Sequence, residues 1–336
     1  MTPSLTAIAG AKVLVTGGAG FIGSRTVDGL IGHGAGEVVA IDDMVRGRPE
    51  NLSSALATGR VRLVHGDICN KELVREHLEG ADLVFHLAAL RITQCAAEPR
   101  RAMQVMVDAT YDILDLCVAA GVRKVVMASS ASVYGMASSF PTEEAHPPYA
   151  NRTLYGAAKT FGEGLLRVFK EMYGLEYVAL RYFNAYGPRM DIHGRYTEVL
   201  IRWMERIEAG LAPVVFGSGS ETMDMVHVED IARANLLAAV SPATDVALNV
   251  GSGTETSLAA LARRLAETMG REDLVPIHEP PRAVNPVPKR LADLRLAREH
   301  IGYTPTVPLD EGLAGLVAWW RAERRRAPAS VPGRAA

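Results

Sequence analysis

The 336-residue sequence has few cysteines, no long apolar run and almost no net charge. Its three cysteines, Cys69, Cys95 and Cys117, show no CxxC spacing, which argues against a disulfide framework and fits a reducing compartment. A formal net charge of -2 gives no electrostatic basis for a nucleic-acid partner. The sequence also lacks an apolar run of about 18 residues and a signal-peptide pattern. We therefore expect a cytoplasmic protein with no membrane or nucleic-acid partner, and we predict no metal site.

Apolar, β-branched runs recur along the chain and alternate with segments of helical spacing. The runs read "KVLVTGG", "EVVAID", "VRLVHGD", "LVFHLAA", "KVVMASS" and "EYVALRYF". Because they are continuously apolar rather than alternating, they predict a parallel sheet that is covered by helices on both faces. The sequence therefore predicts the α/β class with a doubly wound parallel sheet.

The regular alternation of predicted strands and helices is lost after residue 183, where glycine and proline become frequent. We expect residues 1–183 to form the main domain, with residues 224–250 returning to pack on it. Residues 184–223 and 251–326 are predicted to form a smaller C-terminal α/β substrate-binding domain, and residues 327–336 a flexible tail. Ligands of open parallel sheets bind beyond the carboxyl ends of the strands, so the second part should cover that crevice.

The segment "VLVTGGAGFIGS" ends the first predicted strand with Gly17, Gly20 and Gly23. Small residues at this turn let the backbone approach a pyrophosphate, and the amino terminus of the next helix offers N–H donors to it. A plain turn is the alternative. The position in the first βα unit favours a Rossmann-type dinucleotide site.

Two aspartates follow the next two predicted strands. Asp42 stands 19 residues after Gly23, where a carboxylate binds the adenosine ribose hydroxyls and repels a 2′-phosphate. NAD is therefore predicted rather than NADP, although Arg46 and Arg48 nearby leave NADP open. Asp67 could accept from the adenine amino group, or could be a turn aspartate.

The segment "YGAAK" places Tyr155 and Lys159 one helical turn apart. A lysine cation beside a phenol favours the phenolate, which makes tyrosine a usable base. The segment "MASSASVYG" supplies hydroxyls at the end of a buried strand, among them Ser130, which can orient a substrate alcohol. These residues predict hydride chemistry on an alcohol.

Seven motifs occur in order across nearly the whole chain: "TGGAGFIGS", "GDI", "HLAA", "SSASVYG", "YGAAK", "RYFNAYGPR" and "HVEDIA". Together they resemble the extended short-chain dehydrogenase/reductase family, and specifically its NAD-dependent nucleotide-sugar epimerases and dehydratases. The resemblance implies Ser130, Tyr155 and Lys159 as the catalytic trio. It also implies a set of NAD-binding residues: Gly17, Gly20, Phe21, Ile22, Gly23, Asp42, Asp67, Ile68, Leu87, Ala88, Ala89, Arg91, Tyr155 and Lys159.

Two positions before "VYG" separate the reaction types of this family. Dehydratases have an Asp-Glu pair there, which acts as acid and base in water elimination. This chain has Ala131 and Ser132 at these positions, and neither side chain can act as a general acid or base. The resemblance therefore implies a 4-epimerase, which oxidises the sugar at C4 to a transient 4-keto intermediate and reduces it again.

The resemblance also implies a UDP-sugar site. Its expected residues are Arg91, Ser130, Ser132, Tyr155, Asn184, Arg195, Val215, Phe216 and Arg282. Arg282 could equally be a solvated loop charge. Three positions depart from the family pattern: Met223 replaces a usual arginine, Met106 an asparagine and Asn285 an aspartate, which weakens the expected nucleotide contacts.

Arg195 follows "GPRMDIHG", in a region that faces the hexose C6 in such enzymes. An arginine there suits a carboxylate, so we favour the interconversion of UDP-glucuronate and UDP-galacturonate; Arg91 and Arg189 are other candidates for this contact. Arg195 could also simply begin a helix. A UDP-glucose or UDP-N-acetylglucosamine 4-epimerase and a nucleotide-deoxysugar 4-ketoreductase remain alternatives, as does a dinucleotide sensor without catalysis.

Two long helices are predicted over residues 99–120 and 154–173, and both are apolar on more than one face. Relatives pair the equivalent helices across a two-fold axis into a four-helix bundle. We therefore expect a homodimer.

Overall fold

The computed structural model describes residues 4–192, 198–280 and 287–326. The described strands are β1 (Lys12–Thr16), β2 (Glu37–Asp42), β3 (Val61–His65), β4 (Leu83–His86), β5 (Lys124–Ser130), β6 (Glu176–Tyr182), β7 (Asn184–Tyr186), β8 (Val214–Phe216), β9 (Thr222–His227), β10 (Val246–Val250), β11 (Glu255–Ser257) and β12 (Ile277–Glu279). The described α-helices are α1 (Phe21–Gly32), α2 (Ser53–Leu56), α3 (Lys71–Leu78), α4 (Ile92–Ala97), α5 (Pro99–Met103), α6 (Ala109–Ala119), α7 (Leu154–Tyr173), α8 (Val199–Glu208), α9 (Val228–Val240), α10 (Leu258–Thr268), α11 (Arg295–Ile301) and α12 (Leu309–Arg326).

Seven parallel strands form the central sheet in the order β3-β2-β1-β4-β5-β6-β10. The six long apolar runs of the sequence form β1 to β6, so the predicted doubly wound, Rossmann-type sheet is confirmed. Strand order reverses between β1 and β4. In such sheets the crevice at the reversal, beyond the carboxyl ends of the strands, is the ligand site.

Apolar side chains cover both faces of the sheet because successive residues of a strand point to opposite sides. In β1, Val13 and Val15 pack into one core with α1 and α9. Leu14, between them, packs into the opposite core with α6 and α7. This double burial explains why the strands are continuously apolar.

The predicted helix over residues 99–120 is observed as α5 and α6, joined by a π-helical turn at Gln104–Asp108. Such wider turns are frequently found at functional sites. Here Val105 lines the central cleft, while Met106 is buried and its sulfur lies 3.6 Å from the Cys95 thiol. Met106, expected to lie where relatives have an asparagine near the cofactor, is thus not among the described cleft residues.

A third apolar core lies in the smaller part of the chain, where α8, α10 and α12 pack together. Beside it, β7, β9 and β11 form a three-stranded sheet, and β8 pairs with β12. Helix α9 packs against α1, and β10 joins the central sheet. Residues 228–250 thus pack on the main sheet, whereas β9 at the start of the predicted returning segment belongs to the smaller sheet. The predicted tail, residues 327–336, lies outside the described residues.

Candidate active site

A cleft of about 840 Å³ lies at the carboxyl ends of β1 to β6, between the main sheet and the smaller part. Its lining includes the predicted glycine turn, both predicted aspartates, the predicted trio and Asn184. Ile68, Leu87, Ala88, Ala89 and Arg91, which the family resemblance implied, also line it. The topology therefore brings together motifs that are far apart in the sequence.

The glycine turn is packed too tightly for side chains. Gly17 has φ +69°, and a Cβ there would lie 2.9 Å from the Ala88 nitrogen. A Cβ on Gly23 would lie 2.0 Å from the Gly17 oxygen. Gly20 is the N-cap of α1, whose first residues Phe21 and Ile22 line the cleft. The bare backbone and the helix amino terminus form a cradle that fits a dinucleotide pyrophosphate.

Asp42 ends β2, and its carboxylate accepts hydrogen bonds from the Ala19 and Met44 nitrogens, each at 3.0 Å. Burial raises the pKa of Asp42, and these backbone hydrogen bonds oppose the rise. Each carboxylate oxygen accepts about two hydrogen bonds, so both can still accept from ribose hydroxyls. Asp67 pairs instead with Arg101 at 2.5 Å, a partner that the sequence did not indicate.

The two arginines that left NADP open are both paired with carboxylates. Arg46 lies 3.6 Å from Asp191, and Arg48 lies 3.4 Å from Glu50. Of the two, Arg46 lines the described cleft and Arg48 does not.

The catalytic candidates are held by the start of α7. The Thr153 hydroxyl accepts from the Gly156 nitrogen at 3.1 Å and caps the helix. One turn separates Tyr155 from Lys159, whose Nζ lies 5.8 Å from the phenol ring centre. That Nζ donates to the Ala128 carbonyl of β5 at 2.6 Å, and Ser130 lies within hydrogen-bonding range of the phenol. The trio is therefore assembled from one helix and the end of one strand.

Burial raises the pKa of Tyr155, and the Ser130 hydrogen bond partly offsets the rise. Burial also lowers the pKa of Lys159, to about 8. The low phenol pKa expected from the spacing is therefore not a property of the protein alone. The positive charge of an oxidised nicotinamide would act in the lowering direction.

The positions that carry acid and base in dehydratases are apolar or neutral here. Ala131 and Ser132 are buried, and the Ser132 nitrogen donates to Ser130 Oγ at 3.1 Å. Behind this turn the Ser129 hydroxyl donates to Glu163, which Arg181 binds through two nitrogens. The nearby Glu163 carboxylate is thus committed to a partly buried ion pair with Arg181, which the sequence did not indicate.

Some of the predicted nucleotide-sugar residues line the cleft, one has its side chain buried elsewhere, and others lie outside the described residues. Asn184 lines the cleft, and its buried Oδ1 accepts no hydrogen bond from the described part of the chain. Phe216 and Met223 also line the cleft, whereas the Val215 side chain is buried in the smaller core and could offer only its backbone. Three residues lie outside the described ranges: Arg195, Arg282 and Asn285.

Arg91 and Arg189, the other candidates for a sugar contact, both line the cleft and both form ion pairs. Arg91 lies 2.9 Å from Glu198, and Arg189 lies 2.7 Å from Asp28. Both charges are therefore already balanced within the protein.

Arg290 is a cleft residue that the sequence analysis missed. It is buried, and its Nη1 donates to the Ala131 carbonyl at 2.7 Å, next to the catalytic turn. The segment "NPVPKRLAD" carries no signal for this placement, because it depends on pairing with the distant strand β9.

Within the described ranges, no group of three or more His, Cys, Asp or Glu side chains is arranged to hold a metal ion. None of the described helices combines the length and apolar character needed to cross a bilayer.

A Rossmann-type sheet, a glycine cradle and a Ser-Tyr-Lys trio in one cleft define an NAD-dependent enzyme that acts on an alcohol. The NAD-dependent epimerase/dehydratase family model matches residues 13–251, and the chain belongs to this family. The predicted family, enzyme class and NAD cofactor are thereby confirmed.

Individual relatives resemble the whole chain. It is 38% identical over 313 residues to the UDP-glucose 4-epimerase of Mycolicibacterium smegmatis, covering 92% of this chain and 98% of the relative. The crystal structure of a UDP-glucose 4-epimerase with UDP-glucose from Thermotoga maritima matches with a TM-score of 0.87 and 34% identity, covering 93% of this chain and 99% of the other. A dTDP-glucose 4,6-dehydratase from Streptomyces venezuelae with bound NAD matches with a TM-score of 0.86 and 28% identity, covering 94% and 99%.

Proposed function

We propose that this chain is an NAD-dependent 4-epimerase of a UDP-hexose. The observation that carries the proposal is the combination of the trio with a buried Ala131 and Ser132. Tyr155 can accept and return a proton, but at these two positions no side chain can protonate a leaving hydroxyl or remove a carbon-bound proton. Oxidation and re-reduction at one carbon is the chemistry that remains.

In this proposal Tyr155 takes the proton of the sugar 4-hydroxyl, and Ser130 holds the same oxygen by a hydrogen bond. Lys159 provides a fixed positive charge one turn away, anchored on the Ala128 carbonyl. When bound, NAD supplies the reversible hydride acceptor. The 4-keto sugar turns within the cleft, and Tyr155 returns its proton, so the complete cycle involves no net redox change.

The nucleotide is proposed to be UDP because the named epimerase relatives act on UDP-glucose. Asn184 has a buried carbonyl oxygen that lacks a donor among the described residues, so it is suited to a substrate hydroxyl or amide. Phe216 offers an apolar surface to the base. Met223 is unable to pair with a phosphate.

The hexose is proposed to be a uronate, so that the enzyme interconverts UDP-glucuronate and UDP-galacturonate. The support is Arg290, a buried arginine of the cleft that forms no ion pair with a carboxylate of the described residues. A neutral UDP-hexose such as UDP-glucose or UDP-N-acetylglucosamine is the second candidate, which the names of the relatives favour.

The proposal is tested by incubating the purified protein with UDP-glucose, UDP-N-acetylglucosamine and UDP-glucuronate, and separating the products by chromatography. We expect C4 epimers, with UDP-glucuronate the best substrate. Added NADH should not be consumed. Stoichiometric NADH oxidation would replace the epimerase by a 4-ketoreductase, and absence of any epimer would reject the proposed function.

A homodimer is also proposed. Apolar side chains are exposed along α7 and the neighbouring helices α5 and α6, among them Phe161 and Met172, which are 50% and 63% exposed. A second copy of this face would cover them.

A further inference from the structure

Arg290 is held rigidly although it lies outside the twelve strands. Its nitrogen donates to the Thr222 carbonyl at 2.9 Å, and the Ala292 nitrogen donates to Asp224 Oδ2 at 3.0 Å. The side chain is 9% exposed and lines the cleft. These bonds position the backbone, and the guanidinium is positioned by its own hydrogen bond to the Ala131 carbonyl at 2.7 Å.

No carboxylate of the described residues lies within ion-pair distance of Arg290, whereas three other arginines that line the cleft have such partners. Arg46, Arg91 and Arg189 are paired with Asp191, Glu198 and Asp28. Arg290 has instead the neutral Ala131 carbonyl. Burial lowers the pKa of Arg290 to about 10, so the side chain remains a cation at neutral pH. A buried cation without a counterion is costly, and a bound anion would remove that cost.

The position of this cation relative to the trio limits which part of a substrate it can reach. Arg290 bonds to residue 131, directly after Ser130, and its charge acts on the Tyr155 phenol. The reacting C4 hydroxyl must contact Tyr155 and Ser130. An anion beside Arg290 is therefore carried close to C4, and on a hexose the C6 carboxylate, one carbon beyond C5, fits this requirement.

We propose that Arg290 binds the C6 carboxylate of a UDP-hexuronate and thereby determines specificity for an acidic sugar; this inference rests on the proposed 4-epimerase function. A guanidinium binds a carboxylate through two parallel hydrogen bonds. With Nη1 on the Ala131 carbonyl, the remaining N–H groups of Arg290 are the donors for this contact. Arg195, the residue expected from the sequence for this contact, lies outside the described residues.

The test compares Arg290→Met with Arg290→Lys. Methionine keeps an unbranched chain and removes the charge, whereas lysine keeps the charge without the planar fork. We expect Arg290→Met to lower kcat/KM for UDP-glucuronate at least about 30-fold more than for UDP-glucose, and Arg290→Lys to restore part of the difference. The Kd of UDP should change less than about threefold, since no carboxylate is present. Thermal unfolding of both variants verifies that they are folded.

Arg46→Met is the matched control, because Arg46 is a half-buried cleft arginine near Tyr155 that pairs with Asp191 at 3.6 Å. It should affect both sugars by similar factors. Equal losses on both sugars in Arg290→Met, together with weaker UDP binding, would assign Arg290 to the diphosphate and overturn the inference. An unchanged preference would overturn it as well.

Binding measurements separate this inference from the proposed function. If the wild-type protein epimerises none of the three UDP-sugars, the proposed function fails, but calorimetric Kd values for UDP-glucose and UDP-glucuronate in wild type and Arg290→Met still decide the role of Arg290. If the wild type epimerises UDP-glucose yet binds UDP-glucuronate no more tightly than Arg290→Met does, the inference fails and a UDP-hexose epimerase remains.

Discussion

At the scale of single residues, turnover depends most directly on the phenol of Tyr155. Tyr155→Phe removes the acid–base group and leaves the ring in place. We expect kcat to fall about 10²–10⁴-fold, the usual contribution of a positioned acid or base, while bound NAD is retained. Steady-state assays with the best UDP-sugar, together with quantification of NAD released on denaturation, test this expectation.

Tyr177→Phe is the control for this substitution. The Tyr177 hydroxyl donates to Asp245 at 2.7 Å and is not part of the described cleft lining. Its loss should cost about 1 kcal/mol of stability and leave turnover nearly unchanged. More than about a tenth of wild-type activity in Tyr155→Phe would contradict the assignment of Tyr155 as the base.

Sequence reasoning located residues whose function depends on local spacing. Tyr155 and Lys159 lie four positions apart on one helix, and Gly17 and Gly23 lie in one turn, so their relations are independent of the rest of the fold. Arg290 could not be found in this way, because its site is created by pairing with β9 and by a carbonyl 159 positions away. The pairing of Asp67 with Arg101 is likewise a long-range contact.

At the scale of secondary-structure elements, His86 links β1, β4 and α6. Thr110 donates to the Met106 carbonyl at 3.0 Å, so its hydroxyl oxygen accepts from His86 Nε2 at 3.1 Å. Thr16 accepts from backbone nitrogens and so donates to His86 Nδ1 at 2.9 Å. The neutral imidazole satisfies both hydrogen bonds, donating through Nε2 and accepting through Nδ1. The carboxyl ends of two strands are thereby fixed to the helix that follows the π-helical turn.

This arrangement predicts a loss of stability in mild acid. Burial lowers the pKa of His86 to about 3, so below about pH 6.5 the unfolded chain binds a proton that the folded chain does not. Stability contributed by the neutral ring is therefore full above that pH and decreases as the pH falls towards 3. The decrease from His86 should be about 2 kcal/mol between pH 6.5 and 5, since each pH unit corresponds to about 1.4 kcal/mol.

Urea unfolding of wild type and His86→Gln at pH 7 and pH 5 measures this contribution. The wild type should lose about 2 kcal/mol more than the variant over this range. His33→Gln, at an exposed histidine, controls for removal of an imidazole in general. Equal losses in wild type and His86→Gln would show that His86 does not cause the acid sensitivity.

The elements themselves were predictable to different degrees. Continuous apolar runs located β1 to β6, because burial on both faces leaves a strong pattern. The π-helical turn at Gln104–Asp108 left no such pattern, since the apolar spacing of a helix continues through it. A single widened turn changes which side chain faces the cleft, and here it places Val105 rather than Met106 there.

At the scale of the whole molecule, the sheet order places the ends of six strands along one cleft and leaves α7 with two roles. Its first turn carries Tyr155 and Lys159. Farther along, Phe161, Val168 and Met172 recur at helical spacing and are 50%, 47% and 63% exposed. Tyr111 on α6 and Tyr173 extend this apolar surface. The same helix therefore carries the catalytic groups at one end and the proposed dimer interface along its outer face.

Placing carboxylates on this face should separate the two copies. In the double variant Val168→Glu, Met172→Glu, two like-charged pairs would meet or be buried across a two-fold interface, and burial of unpaired charge is strongly unfavourable. We expect sedimentation equilibrium to give the mass of one 36.1 kDa chain for this variant and of two for the wild type. Val275→Glu, at a 61% exposed valine outside the helices, should remain dimeric. A monomeric wild type, or a double variant that still sediments as a dimer, would mean that this face is not the interface.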